Sequence, residues 1–239
     1  MNLILFEPGE VDRPLPRSDP RAVHLLRVLR RSKGDTFDAG LVDGPRGRGT
    51  LAAIGPDALT LAFTWGDAPP PLDPLTLIIG LPRPQTARDI LRDATALGVA
   101  AMHFVTADKG EPGYARSTLW TSGEWRQHAI AGAAQAFATR LPEVSRGRSL
   151  VEVVGRLPEG ITRIALDNYE AAGSLARLAL AGRSGVAIAI GAERGWSAPE
   201  RSVLRGSGFV FAHLGLRVLR TETAVTVAVA LVRAKLDLP

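Results

Sequence analysis

Residues 186–232 read VAIAIGAERGWSAPERSVLRGSGFVFAHLGLRVLRTETAVTVAVALV, and two apolar runs inside them decide the fold. The runs 186–190 and 209–212 each stop at a glycine-bearing turn, Gly191-Ala192-Glu193-Arg194-Gly195 and Leu214-Gly215-Leu216-Arg217. Short apolar runs that end in glycine turns ahead of helices read as parallel strands of an α/β sheet. Ligands of such sheets sit in the crevice beyond the carboxyl ends of the strands. Two of these ends lie close together in sequence, so one ligand can touch both turns.

The segment between the runs carries a helix start. Ser197-Ala198-Pro199-Glu200 has the spacing of a capping box, with proline in the first turn where its missing N–H costs nothing. After the second turn, Val225, Val227 and Val229 alternate as in a strand. Thr221 as a cap, Glu222 in the first turn, and Arg233 and Lys235 near the end predict a helix instead.

The order and chemistry of these turns resemble the knotted SPOUT methyltransferases, specifically the family that methylates N3 of a uridine in small-subunit ribosomal RNA. That family carries I-G-P-E-G-G and then L-G-x-R-I-L-R-x-E-T-A. This chain has Ile190-Gly191-Ala192-Glu193-Arg194-Gly195 and Leu214-Gly215-Leu216-Arg217-Val218-Leu219-Arg220-Thr221-Glu222-Thr223-Ala224. The second match is long and specific; the first departs at Ala192 and Arg194. Further upstream, His24-Leu25-Leu26-Arg27-Val28-Leu29-Arg30 followed by Lys33-Gly34-Asp35 matches the same family, whose N-terminal domain is PUA-like. Ala134 to Glu143 resembles the family's E-Q-S-G-R-T-R-V-P-E and keeps Gln135, Thr139, Arg140, Pro142 and Glu143. The resemblance thus covers most of the chain. It implies an α/β fold: a knotted SPOUT domain with a trefoil knot and a mostly parallel sheet, preceded by a small PUA-like β-barrel.

Composition narrows the chemistry. The chain has 239 residues, 46% hydrophobic and 22% charged, as in an ordinary globular protein. With no cysteine there is no disulfide, thiolate metal site or cysteine nucleophile, which rules out methylation through a cysteine adduct. His24, His103, His128 and His213 fall in separate segments without ligand spacing, so no metal is expected. MNLILFEPGE lacks the basic start of a signal peptide, and no apolar run approaches the roughly 18 residues of a membrane span. The expectation is a cytoplasmic protein away from membranes. The net charge of +5 is carried mostly by arginine, a residue suited to phosphate and to stacking on bases. An arginine-rich proteome would produce the same excess.

Residues 1–67 read as a small β-rich unit. A helix capped by Ser18 or Asp19 is followed by strands at 36–42, 48–54 and 58–65. APPPLDP, residues 68–74, is a stiff linker and the predicted boundary. From 75 to 239 strands and helices alternate, giving a mostly parallel sheet. LTLIIGL is a strand, 85–97 a helix, AAMHFVTA a strand, 117–138 a longer helix, 139–160 a surface-like stretch, ITRIALD a strand and 170–182 a helix.

By itself GAERG is neither a P-loop nor a dinucleotide fingerprint. The resemblance implies S-adenosylmethionine (SAM), held by three turns. These are Leu166-Asp167, then Ile190, Gly191, Ala192, Glu193 and Gly195, then Leu214, Gly215, Val218 and Leu219. The methyl would pass in line to uridine N3. Arg220 would stabilise the charge developing on the flanking carbonyl oxygens, with Arg217 second and Glu222 positioning or accepting the proton. RNA capture falls to Arg27 and Arg30 in the first unit and to Arg83, Gln135 and Arg140 in the second. The partners implied are ribosomal RNA or the small ribosomal subunit, and a second copy of the chain in a homodimer. Two alternatives remain open: a non-catalytic RNA-binding or ribosome-assembly protein that has lost SAM, and a SPOUT methyltransferase with a different RNA target.

Overall fold

The computed structural model describes residues 3–180 and 185–238. The chain forms two compact units. One runs to Pro71 and takes in Ile130–Leu141; the other comprises Leu72–Ala129 and Pro142 onward.

The first unit contains β1 (Ile4–Phe6), β2 (Leu15–Pro16), α1 (Pro20–Val23), β3 (Thr36–Leu41), β4 (Arg46–Ile54) and β5 (Ala58–Trp65). Its sheet has the order β1-β3-β4-β5-β2, with β1 and β3 parallel and the other pairs antiparallel. Asp19 caps α1 by accepting the Arg21 N–H at 2.8 Å. The helix then continues as a single π turn, His24–Val28. Phe6, Leu25, Phe37, Leu51 and Leu59 form the core. A second cluster, Leu3, Leu5, Val42 and Ala133, is where the Ile130–Leu141 segment packs. The Leu3 N–H donates to Ala134 O at 3.1 Å.

The second unit is built on one seven-stranded sheet. Its elements are β6 (Asp73–Gly80), α2 (Pro84–Ala96), β7 (Val99–Thr106), α3 (Thr118–Thr121), α4 (Glu124–Gln135), β8 (Glu143–Ser149), α5 (Leu150–Val154), β9 (Thr162–Leu166), β10 (Gly173–Ser174), β11 (Val186–Ile190), α6 (Ala198–Gly206), β12 (Val210–His213) and α7 (Thr221–Lys235). Helix α4 begins in this unit, and its residues from Ile130 onward are grouped with the first. The order is β10-β12-β9-β11-β6-β7-β8, and every pair is parallel. All five residues of β11 are buried, as a strand covered on both faces requires. Leu77, Ile79, Ile188, Ile90, Leu91, Val225 and Val229 make the core on one face; Ile78, Ala189, Trp196 and Leu204 make it on the other.

Four sequence expectations are corrected. The helix expected over 117–138 is interrupted at Gly123, whose φ of +77° breaks it into α3 and α4. The stretch 139–160 is not merely surface. It holds β8, an edge strand whose polar sequence suits an unpaired edge, and α5, whose Ser149 and Glu152 form a reciprocal capping box. In place of the helix expected over 170–182 stand β10 and a 3₁₀ turn, Leu175–Arg177; residues 181 and 182 of that expectation lie outside the described residues. Thr221 is not the cap of α7. Arg220 occupies the extended cap position, and Thr221 is a buried first helical residue.

His103 on β7 gives the fold an acid-sensitive point. Its Nδ1 lies 2.7 Å from Ser145 Oγ, and burial holds its pKa below the ordinary 6.5, with Arg148 acting the same way and Glu143 opposing. The unfolded chain therefore binds more protons just below pH 6.5, so stability falls as pH drops through that window. Melting curves between pH 7.5 and 5 should show this decline in the wild type and a shallower one in His103→Gln. Equal slopes would remove His103 as the cause.

Candidate active site

Register places three strand ends side by side. Ile190, the last residue of β11, pairs with Leu166, the last of β9, and Leu166 also pairs with Ala212 of β12. The turns that follow these strands meet around one cavity of about 680 Å³. Its lining includes Leu166, Asp167, Ile190, Gly191, Ala192, Glu193, Gly195, Leu214, Val218 and Leu219, together with Arg217, Arg220, Glu222 and Arg83. Gly215 is the one predicted cofactor residue outside the lining. It shapes the turn instead, with φ +125° and its N–H donating to His213 Nδ1 at 3.0 Å.

Each turn is fixed in its own way. After β9, Asp167 folds the chain back on itself. Its Oδ1 accepts the N–H groups of Tyr169 at 2.7 Å and Glu170 at 2.9 Å, and its Oδ2 pairs with Arg201 Nε at 2.7 Å. The carboxylate is thus committed to holding the turn, whose residues Leu166 to Tyr169 line the cavity. This ion pair is buried, with side-chain exposures of 11% for Arg201 and 2% for Asp167. Removing one partner of such a pair strands the other. Arg201→Met should therefore cost about 3 kcal/mol in urea unfolding. Asp167→Asn should cost less, because its amide oxygen still accepts both backbone N–H groups and Arg201 keeps Glu170 at 3.9 Å. The reverse ranking would contradict this account.

After β11 the chain turns tightly. Gly195 has φ +64° and donates its N–H to Ala192 O at 2.8 Å. The residue that departs from the family motif, Arg194, is not in the left-handed region; Gly195 alone carries that conformation in this turn. Glu193 accepts the Arg83 N–H at 3.0 Å and faces Arg83 Nε at 3.5 Å, tying the loop ahead of α2 to this turn. From the other side Lys109 Nζ donates to Trp196 O at 3.0 Å and to Arg194 O at 3.4 Å. Ser197 and Glu200 close their capping box at the start of α6, and Glu200 also accepts the Asp108 N–H at 2.9 Å.

The third turn, Leu214 to Arg220, is the most open. Leu216 is fully exposed and Val218 is 82% exposed, so neither is core packing, while Leu214 and Leu219 are half-buried. Arg217 and Arg220 are exposed and Glu222 is half-buried in the first turn of α7.

The residues predicted for RNA capture separate. Arg83 lies at this cavity. Arg27, Arg30, Gln135 and Arg140 belong to the first unit. Arg27 and Gln135 are exposed, and Arg30 is exposed with a φ of +51°. The Arg140 guanidinium donates to Pro69 O at 3.3 and 3.2 Å, bracing the proline segment. Sequence reasoning missed Thr86, Asn168, Tyr169, Arg194 and His213 in the lining. Of these, Arg194 stands inside the first quoted motif and His213 directly precedes the second. Among the described residues, no group of three or more histidines or carboxylates could hold a metal ion, and no helix is long and apolar enough to cross a membrane.

Comparison with known proteins points the same way as this geometry. The family model for the RNA methyltransferase domain matches residues 68–233. A ribosomal RNA small subunit methyltransferase E of Treponema pallidum is 35% identical, covering 98% of this chain and 91% of its own. The chain belongs to the ribosomal RNA small subunit methyltransferase E family. A second relative, ribosomal RNA small subunit methyltransferase E 1 of Borreliella burgdorferi, is 25% identical over 99% of both chains. Among solved structures, a ribosomal RNA small subunit methyltransferase E from Neisseria gonorrhoeae, bound to S-adenosyl methionine, superposes with a TM-score of 0.76. It covers 98% of this chain and 97% of its own at 23% identity, a likeness of fold.

Proposed function

We propose that this chain is a SAM-dependent methyltransferase acting on N3 of a uridine in small-subunit ribosomal RNA. The observation that carries the reading is the convergence of the turns after β9, β11 and β12 on one cavity. The SAM-bound relative of the same family and fold adds support. The residues present fit such a group. The cavity, about 680 Å³, is of the size that takes a ligand of SAM's bulk. Gly191 leaves room for backbone approach, since a Cβ there would meet Gly195 Cα at 2.7 Å. Leu214, Val218 and Leu219 offer an apolar wall for an adenine, and backbone groups of the first two turns remain for polar atoms.

SAM, when bound, supplies a methyl carbon activated by its sulfonium. The chain's own residues handle the nucleobase. Arg220 stands at the cap of α7 with no side-chain capping bond, so its guanidinium is available to the oxygens flanking N3 as they gain negative charge. Glu222, in the first turn of the same helix and lining the same cavity, accepts the N3 proton or positions the base. Arg217 is the second cation at the mouth.

The same reading makes the second unit a trefoil-knotted SPOUT domain, the first a PUA-like RNA-binding domain, and the protein a cytoplasmic homodimer. The all-parallel sheet supports the first assignment. Exposed Leu216 and Val218 at the cavity mouth suit cover by a second copy.

The test is titration of purified protein with SAM, followed by transfer of labelled methyl from SAM to small ribosomal subunits and mapping of the product. Micromolar SAM binding and N3-methyluridine are the expected results. SAM binding with methyl on a different atom would replace the target. Absence of SAM binding with and without subunits would leave the RNA-binding scaffold as the account.

A further inference from the structure

Four arginines line the cavity: Arg83, Arg194, Arg217 and Arg220. Arg83 is paired with Glu193, and this takes up the carboxylate next in sequence to Arg194. Asp167 is taken up by Arg201. Among the described residues, Arg194, Arg217 and Arg220 are therefore exposed guanidiniums without a carboxylate partner, facing one uncommitted lining carboxylate, Glu222.

Arg194 differs from the other two in how its backbone is held. Lys109 Nζ donates to its carbonyl at 3.4 Å and to that of Trp196 at 3.0 Å, and the Gly195 N–H closes the turn onto Ala192 O at 2.8 Å. The main chain is pinned while the side chain is left without a partner. A fixed base with a free fork is preorganised for an anion, since little further backbone entropy is lost on binding. SAM carries a net positive charge and only one carboxylate, so it can satisfy at most one of three unpaired cations. A phosphodiester gains a charge-assisted, two-pronged contact from a guanidinium.

We infer that Arg194 is a phosphate clamp: from the cofactor turn itself it grips an RNA phosphodiester beside the target nucleotide and positions the substrate without holding SAM. The inference rests on the RNA methyltransferase reading above. It makes the turn after β11 a shared element, its backbone facing the cofactor and its one free side chain facing the RNA.

The test compares wild type, Arg194→Ala, Arg194→Lys and, as a charge-matched control, Arg156→Ala. Arg156 is exposed and lies outside the cavity lining. The probes are SAM and small ribosomal subunits from a strain deleted for this protein, at several salt concentrations. Arg194→Ala should raise the KM for subunits roughly tenfold, the loss of one hydrogen bond to a charged group. Its kcat at saturating subunits and its Kd for SAM should stay within about twofold of wild type, as a contact made only to the substrate requires. The slope of log K against log salt should fall by about 1, one phosphate contact fewer. Arg194→Lys should keep the slope, and Arg156→Ala should match wild type.

Unchanged KM and slope in Arg194→Ala, a parallel loss of SAM affinity, or an equal effect from Arg156→Ala would each overturn the clamp. A wild type that binds SAM but no subunits would overturn the RNA reading itself, a separate and visible outcome.

Discussion

Arg220→Ala is expected to lower kcat by about 10²- to 10³-fold, the usual consequence of removing one donor aimed at developing charge. SAM affinity and melting temperature should stay near wild type. Affinity should be spared because the proposed cofactor contacts are those of the turns after β9 and β11 and the apolar wall, not Arg220. Stability is spared because the exposed Arg220 side chain makes no cap bond to α7. Only its backbone serves the helix, its carbonyl accepting the Ala224 N–H at 2.8 Å, and alanine keeps that. Arg220→Lys should recover part of the rate, since an ammonium keeps the charge without the planar fork. Single-turnover methyl transfer with saturating SAM and subunits is the measurement. A fully active alanine variant would falsify the assigned role, and a matching loss of SAM affinity would move Arg220 to the cofactor.

Gly191→Ala should weaken SAM binding by about 100-fold, the order expected when a binding turn is displaced by an ångström or so. The added Cβ would lie 2.7 Å from Gly195 Cα, 2.8 Å from Gly195 C and 2.9 Å from Trp196 N. All three neighbours are backbone, so no side chain can swing aside and the turn itself has to open. Forced overpacking of this kind also costs about 1–3 kcal/mol of stability. Near-ultraviolet circular dichroism separates a local opening from unfolding, because Trp196 is fully buried against this turn and Trp120 is buried elsewhere in the unit. Retained signal with lost calorimetric SAM binding is the expected result. Alanine binding SAM like the wild type would show that the turn does not carry the cofactor.

Legibility varied along the chain for identifiable reasons. Strand β11 was readable to the residue, because five consecutive apolar residues between glycines leave little else for a strand buried on both faces. Helix α6 was equally plain, since its capping box is written in local sequence. Helix α7 kept its type against an alternating valine pattern. Val225, Ala228, Val229 and Val232 share the buried face, while Val227 is only half-buried. Strand β8 and helix α5 were hidden, because an edge strand reading EVSRGRS has no apolar signature and a five-residue helix shows no period. The segment near 170 failed for the opposite reason. Its leucines are apolar without forming a helix, because their burial follows from a loop packed on the core, with Leu175 fully buried in a 3₁₀ turn.

At the site, the sequence by itself determined which residues end each strand, which glycines permit the turns, and that arginines stand beside them, because these are local properties of spacing and side-chain type. Tertiary structure decided what those side chains do. It committed the Asp167 carboxylate to Arg201 and the Glu193 carboxylate to Arg83, partners 34 and 110 residues away. It left Arg194, Arg217 and Arg220 in the lining of one cavity without a carboxylate partner among the described residues, and joined Ile130–Leu141 to the N-terminal unit. Such pairings depend on strand order and register across the sheet, and no local pattern of charge or hydropathy encodes which distant carboxylate a guanidinium will meet.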